Sequence, residues 1–153
     1  MGLLSLLTKK NNNNSSRKEA SKAAADNTLA EDIKISAEWV RKNLNISGYK
    51  VDYNLESMKE IDRFFDEQTK EGGLLSGKCG YIIFSLGSFI GETLIKECGG
   101  KWITNDDDPQ GEVNIQVQLE QGGIVWPVQR CMKRLQNGPE DGIYAYVLGI
   151  SKH

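Results

Sequence analysis

Two kinds of apolar spacing divide this chain. Between Leu29 and Trp102 large apolar residues recur mostly at three- and four-residue steps, the repeat of a helix that buries one face; between Trp102 and Trp126 they alternate with polar residues, the repeat of a half-buried strand. The longest apolar run, Cys79 to Trp102, organises the rest. Its residues Ile83, Leu86, Ile90, Leu94 and Ile95, widened by Phe84 and Phe89, predict a core helix. Gly80, Gly87, Gly91 and Cys98 follow one another at steps of seven, four and seven, which places them along one side where another element can approach the backbone closely. An interior glycine costs about 1 kcal/mol relative to alanine, so the packing it permits has to contribute at least as much. Gly99 and Gly100 then supply a left-handed stop.

Two amphipathic helices precede this one. Ile33, Ala37, Val40 and Leu44 share a face from about Leu29 onward, with Glu31 and Asp32 in the first turn and Arg41 and Lys42 expected in the last, as the helix dipole favours. Ser47-Gly48 ends that helix, and Tyr49, Val51 and Tyr53 alternate with Lys50 and Asp52 as a short extended stretch. Asn54 is the expected N-cap of a second helix running to about Thr69, with Met58, Ile61, Phe64 and Phe65 inward. Its other side carries Glu56, Glu60, Asp62, Asp66 and Glu67. No metal-ligand spacing links them, so a solvated acidic face is expected.

The strand pattern follows. Trp102 to Thr104 reads as extended, Asn105 to Gly111 as a turn, Val113 to Leu119 as a half-buried strand, Gln121 to Gly123 as a second turn and Ile124 to Trp126 as a third strand, together an antiparallel meander. Asp106, Asp107 and Asp108 lack the spacing of a calcium loop. Pro127 suits the first turn of a helix that carries Val128, Cys131, Met132 and Leu135 inward and ends at Asn137-Gly138. Residues 139–150 fit both periods: Ile143, Val147 and Ile150 a helix, Tyr144, Tyr146 and Leu148 a strand. Pro139, Glu140 and Asp141 look like a helix start, which favours helix.

Composition sets the class. With 153 residues, 39% hydrophobic and 26% charged, one soluble domain with a real core is expected. The charge is uneven: residues 1–28 hold five Lys/Arg and two Asp/Glu, a net +3, and the remainder fourteen and nineteen, a net −5. A mildly acidic body disfavours general nucleic-acid binding. Met1 to Leu7 is apolar but too short for a signal-peptide core, and a basic tail over residues 1–28 ahead of a domain at 29–153 is expected; residues 1–10 could touch an anionic membrane weakly. No apolar run reaches the length of a membrane span. Three cysteines, Cys79, Cys98 and Cys131, lack CxxC spacing, which reads as reduced thiols in a cytoplasmic protein. The one histidine is the last residue, His153, so zinc and triad chemistry lose their usual donor. No cofactor or metal is expected.

Two candidate sites remain. Arg130, Lys133 and Arg134 at three- and four-residue spacing make an outer basic face able to grip a phosphate or an acidic protein partner, with a solvated basic face balancing the acidic body as the alternative. Glu92, within the apolar helix beside Gly91, is the carboxylate an enzyme could use; bonding to the Trp102 indole N–H is the structural alternative. The segments LGSFIGETLIKECGGKW (86–102) and GGIVWPVQRCMKRLQNGPEDGIYAY (122–146), with VDYNLESMKEIDRFFDE (51–67) ahead of them, resemble an uncharacterised bacterial family known only as a domain of unknown function. Its members pair an LGxxxGE...GGxW helix with a later proline and a KRLxNGxxD segment. The resemblance implies the fold and domain boundary but no reaction, and domains of this general kind occur among bacterial immunity and accessory proteins. The expectation is therefore a single α+β domain, helices packed on a small antiparallel meander, with Gly80, Gly87, Gly91, Trp102 and Pro127 structural. Its expected function is non-catalytic protein binding; a carboxylate-dependent enzyme and a membrane-surface protein are the alternatives.

Overall fold

A computed structural model describes residues 27–152. Five helices and a three-stranded antiparallel sheet form an α+β domain: α1 (Leu29–Ile46), α2 (Ser57–Gln68), α3 (Gly80–Cys98), β1 (Gly100–Ile103), β2 (Gln116–Leu119), β3 (Ile124–Val125), α4 (Pro127–Asn137), a 3-10 turn (Gly138–Asp141) and α5 (Ile143–Ser151). No helix among the described residues is long and apolar enough to cross a membrane. The tail expected over residues 1–28 and its membrane contact lie almost wholly outside the described residues, as does His153; Thr28 belongs to the domain. Its hydroxyl accepts from the Glu31 backbone N–H at 3.2 Å and so caps α1, in the Thr-x-x-Glu pattern of a capping box.

Helix α3 is the axis of the fold. Ile83 to Leu94 is buried almost throughout, and α1, α4, α5 and the sheet all pack against it. The two central glycines are where this packing is closest. A Cβ on Gly87 would stand 2.6 Å from Val128 Cγ2 and 2.8 Å from Val128 Cα, and one on Gly91 would stand 2.0 Å from Trp102 Cη2. The backbone of α4 therefore rests on Gly87 and the indole of β1 on Gly91. Gly80 differs from the expectation: a Cβ there meets nothing within 4 Å, because it opens the helix at the exposed end. Ser85, Ser88 and Thr93 are buried, each hydroxyl donating to the carbonyl four residues back, which satisfies them without a partner helix.

The first two helices bury the residues their spacing predicts: Ile33, Ala37, Val40 and Leu44 on α1, Met58, Ile61, Phe64 and Phe65 on α2. Arg41 and Lys42 stop short of the last turn of α1, which carries no basic residue. Between the helices Tyr49 and Val51 are buried, but no strand among the described residues pairs with them and the segment is a loop. Asn54 is not the N-cap of α2, which starts later than expected, at Ser57 after Glu56; its Oδ1 accepts from the backbone and hydroxyl of Ser57 and closes the turn ahead of the helix. In the sheet, ordered β1-β2-β3, β2 is shorter than the alternating pattern because Gly111 to Asn114 turn instead of pairing. Residues 143–151 are helical, as Pro139, Glu140 and Asp141 indicate.

Candidate functional site

The basic face expected on α4 does not form. The Arg134 side chain is only 3% exposed, because α4 packs with that residue against α2. Its Nε donates to Asp62 Oδ1 at 3.0 Å, and its Nη2 donates to Asp66 Oδ1 at 2.7 Å and to the Asp62 carbonyl at 3.2 Å. Burial alone would lower its pKa, but the hydrogen bonds with Asp66 and Asp62 outweigh that and raise it. Arg130 lies 3.4 Å from Asp141 Oδ1 and over the Tyr146 ring at 4.3 Å. Of the three, Lys133 alone is exposed, and Met132, expected inward, stands outside.

The acidic side of α2 is correspondingly less solvated than predicted. Asp62 uses both carboxylate oxygens: Oδ1 accepts from Arg134 and the Ile143 N–H at 2.9 Å, and Oδ2 accepts from the Tyr144 N–H at 2.9 Å. It therefore joins α2 to α4 and caps the start of α5, where orphan N–H groups favour an anion. Glu60 takes the Lys50 N–H and Arg63, and Arg63 followed by the Lys50 hydrogen bond holds its carboxyl below the ordinary range despite some burial. The sequence showed the α2 carboxylates and Arg134 separately; a spacing of 72 residues leaves no local signal that they meet.

Glu92 sits 3.8 Å from Lys34 Nζ and not on Trp102, whose indole Nε1 is buried without a hydrogen-bond partner among the described residues. The buried thiol of Cys131 is pushed up in pKa by desolvation, the opposite of an activated nucleophile. No group of His, Cys, Asp and Glu among the described residues has metal-holding geometry. Among the clefts in the surface of the described residues are two of similar size. One of about 490 Å³ lies between the end of α1 and the start of α2, lined by Asn45, Asp52, Asn54 and Ser57. The other, about 480 Å³, lies between the start of α1 and the β1–β2 loop, lined by Asp32, Asp106, Asp108 and Glu112. In the second, burial followed by the charges of Glu31 and Asp106 raises the Asp32 carboxyl, against a hydrogen bond with Asn27.

A surface the charge pattern did not single out is the outer face of the sheet. The register pairs Trp102 with Val117 and Val117 with Val125, so those three share the inner face under which α3 lies. Lys101, Gln118 and Ile124 then share the outer face with Ile103 and Gln116, because successive residues of a strand point to opposite sides. Trp126, next after inward Val125, continues the outward series. Ile103 is 36%, Ile124 43% and Trp126 41% exposed. Among the described residues no strand pairs with the outer edge of β1: the Glu120 N–H bonds to the Gly99 carbonyl at 3.1 Å, a parity that turns the backbone of Lys101 and Ile103 toward β2 and that of Gly100 and Trp102 away from it. The strand alternation was readable at Ile124 and Trp126; what the sequence lacked was which face a helix would cover.

Comparison with protein-family models, with curated proteins and with solved structures found no match.

Proposed function

We propose that this chain is a non-catalytic module that binds a protein partner, and that the outer face of its sheet is the contact surface. The observation that carries the reading is the presentation of Ile103, Ile124 and Trp126 to solvent on one sheet face, beside the open edge of β1. Exposed aliphatic and indole groups around a few polar side chains, here Gln116, Gln118 and Lys101, are the composition of a small contact core with its rim. An unpaired strand edge adds main-chain donors and acceptors that an extended partner segment can complete. An accessory or immunity-type role, as the resemblance suggests, fits such a module. The burial of Arg134 moves the proposed contact away from α4, so an acidic partner is no longer the expectation.

Lys101 provides the test. It lies on the proposed face, and its amine is exposed. Affinity capture from the source cells with an amine-reactive cross-linker should yield one stoichiometric protein cross-linked to Lys101, lost in the Ile124→Asp, Trp126→Ser variant while the melting temperature holds. A stoichiometric partner that the variant retains, or none at all, would overturn the reading.

A further inference from the structure

We propose that the outer face of α1 is a contact surface on which a second copy of this chain docks antiparallel, forming a reversible two-fold dimer. The face is apolar where a surface helix is ordinarily polar. Ile35, Trp39, Lys42 and Ile46 follow one another at steps of four, three and four, on the side of α1 opposite the buried Ile33, Ala37, Val40 and Leu44. That is the seam spacing of paired helices. Ile35, Ile46 and Tyr81 are each more than half exposed, more than any other large apolar side chain among the described residues. Tyr81, at the start of α3, widens the stripe near its middle, where its ring stands edge-on to that of Trp39 with 5.7 Å between centroids. The patch shares no residue with the outer face of the sheet, so it stands or falls apart from the reading above.

Charge selects the occupant. Glu31 and Asp32 in the first turn and Lys42 toward the end of α1 make no ion pair among the described residues, whereas Lys34 and Arg41 are already paired with Glu92 and Glu38. A helix left acidic at its start and basic toward its end complements a second copy of itself when that copy runs antiparallel. Overlap along the whole of α1 sets Trp39 of each copy against Ile35 of the other, on either side of a two-fold axis at the level of Ala37, and Lys42 of each against Asp32 and Glu31 of the other. Every contact then occurs twice, as an isologous interface requires. The same charges argue against a lipid surface, which attracts faces rich in lysine and arginine; here two acids face one base.

Size sets the strength. The 18 residues of α1 make a helix about 27 Å long and about 10 Å across, and a contact of that footprint stays below the roughly 800 Å² per partner of a stable complex. The dimer is therefore weak and in exchange with monomer, and salt loosens it by screening the pairs at its ends.

The test is sedimentation equilibrium of the full chain under reducing conditions, at concentrations up to about 1 mM, the weak end of specific association. Monomer and dimer should exchange, and Ile35→Asp, which puts a charge into the seam, should raise the dissociation constant at least about tenfold with the melting temperature unchanged. Lys42→Glu, which leaves the Thr28 cap intact, should raise it at least about threefold at low salt and much less at high salt. Glu31→Lys should weaken the dimer as well, and an equal mixture of these two variants should recover it, because the mixed pair again sets lysine against acid at both ends. A chain that stays monomeric throughout, a dimer that Ile35→Asp leaves unchanged, a mixture that dimerises no better than either variant alone, or an Ile35→Asp chain that has lost only binding to phosphatidylserine vesicles would each overturn the proposal. They correspond to a different protein as the occupant, to association through the sheet, to a parallel pair and to a membrane.

Discussion

A guanidinium with 3% of its side chain exposed remains in a protein only where its charge and its donors are both answered, and Arg134 is answered by Asp62 and Asp66. Removing a partner from a buried pair leaves the other charge without compensation, a loss of about 3–5 kcal/mol for a fully buried pair. Asp62 and Asp66 are 23% and 55% exposed, so Arg134→Ala should cost less, about 2–3 kcal/mol. Asp62→Ala should cost at least as much, because the Ile143 and Tyr144 N–H groups lose their acceptor too. Urea midpoints at constant m-value check both. Glu60 gives a pH signature. Its folded pKa lies below the ordinary 4.5, so its stabilisation is complete above the unfolded value and disappears as pH falls through the folded one. Glu60→Gln should therefore lower the melting temperature at pH 7, and the deficit should narrow as pH falls below the unfolded value of 4.5. Among the thiols, Cys79 and Cys131 are buried and Cys98 is half-buried. Iodoacetamide on the native protein should reach Cys98 first, as peptide mass mapping over time would show, and all three only after unfolding.

Helices α3 and α4 touch where Gly87 leaves no room for a side chain. Gly87→Ala forces a methyl onto Val128 Cα and N, backbone atoms that cannot rotate aside, and should destabilise by about 1–3 kcal/mol. Gly91→Ala meets the Trp102 ring instead, which can tilt, so its cost should be smaller and its mark a change in near-ultraviolet circular dichroism. Gly80→Ala should be neutral or stabilise by up to about 1 kcal/mol, since nothing stands within 4 Å and the unfolded chain loses freedom. Thermal unfolding of the three variants would order them. The contrast marks how far spacing alone reaches. Periodicity identified four of the five helices, because each buries a stripe at a local repeat; residues 139–150 fitted both periods, and the start at Pro139, Glu140 and Asp141 favoured helix. It assigned the small side of α3 as a whole, yet the partners that make Gly87 and Gly91 necessary are 41 and 11 residues away, and Gly80 has none. Arg134 was misplaced for the same reason: its neighbours on α4 suggested a basic face, while the carboxylates that bury it lie on α2.

Across the molecule, exposure separates surfaces that hold the fold from surfaces that do not. Ile124→Asp with Trp126→Ser changes side chains that no helix covers, so each should shift stability by about 0.5 kcal/mol or less. A larger fall in the melting temperature would mean that the outer sheet face contributes to the core. The Asp62 bonds have a further consequence, for the order in which the chain becomes folded during synthesis. Arg134 follows Asp62 by 72 residues and Tyr144 by 82. At 5–20 residues per second the ribosome needs roughly 4–16 s to make that stretch. Throughout that interval α2 has been translated without Arg134, which lies over Phe65 and pairs with Asp62 and Asp66. The Asp62 bonds are therefore expected to close late in synthesis, once Arg134, Ile143 and Tyr144 have all been made.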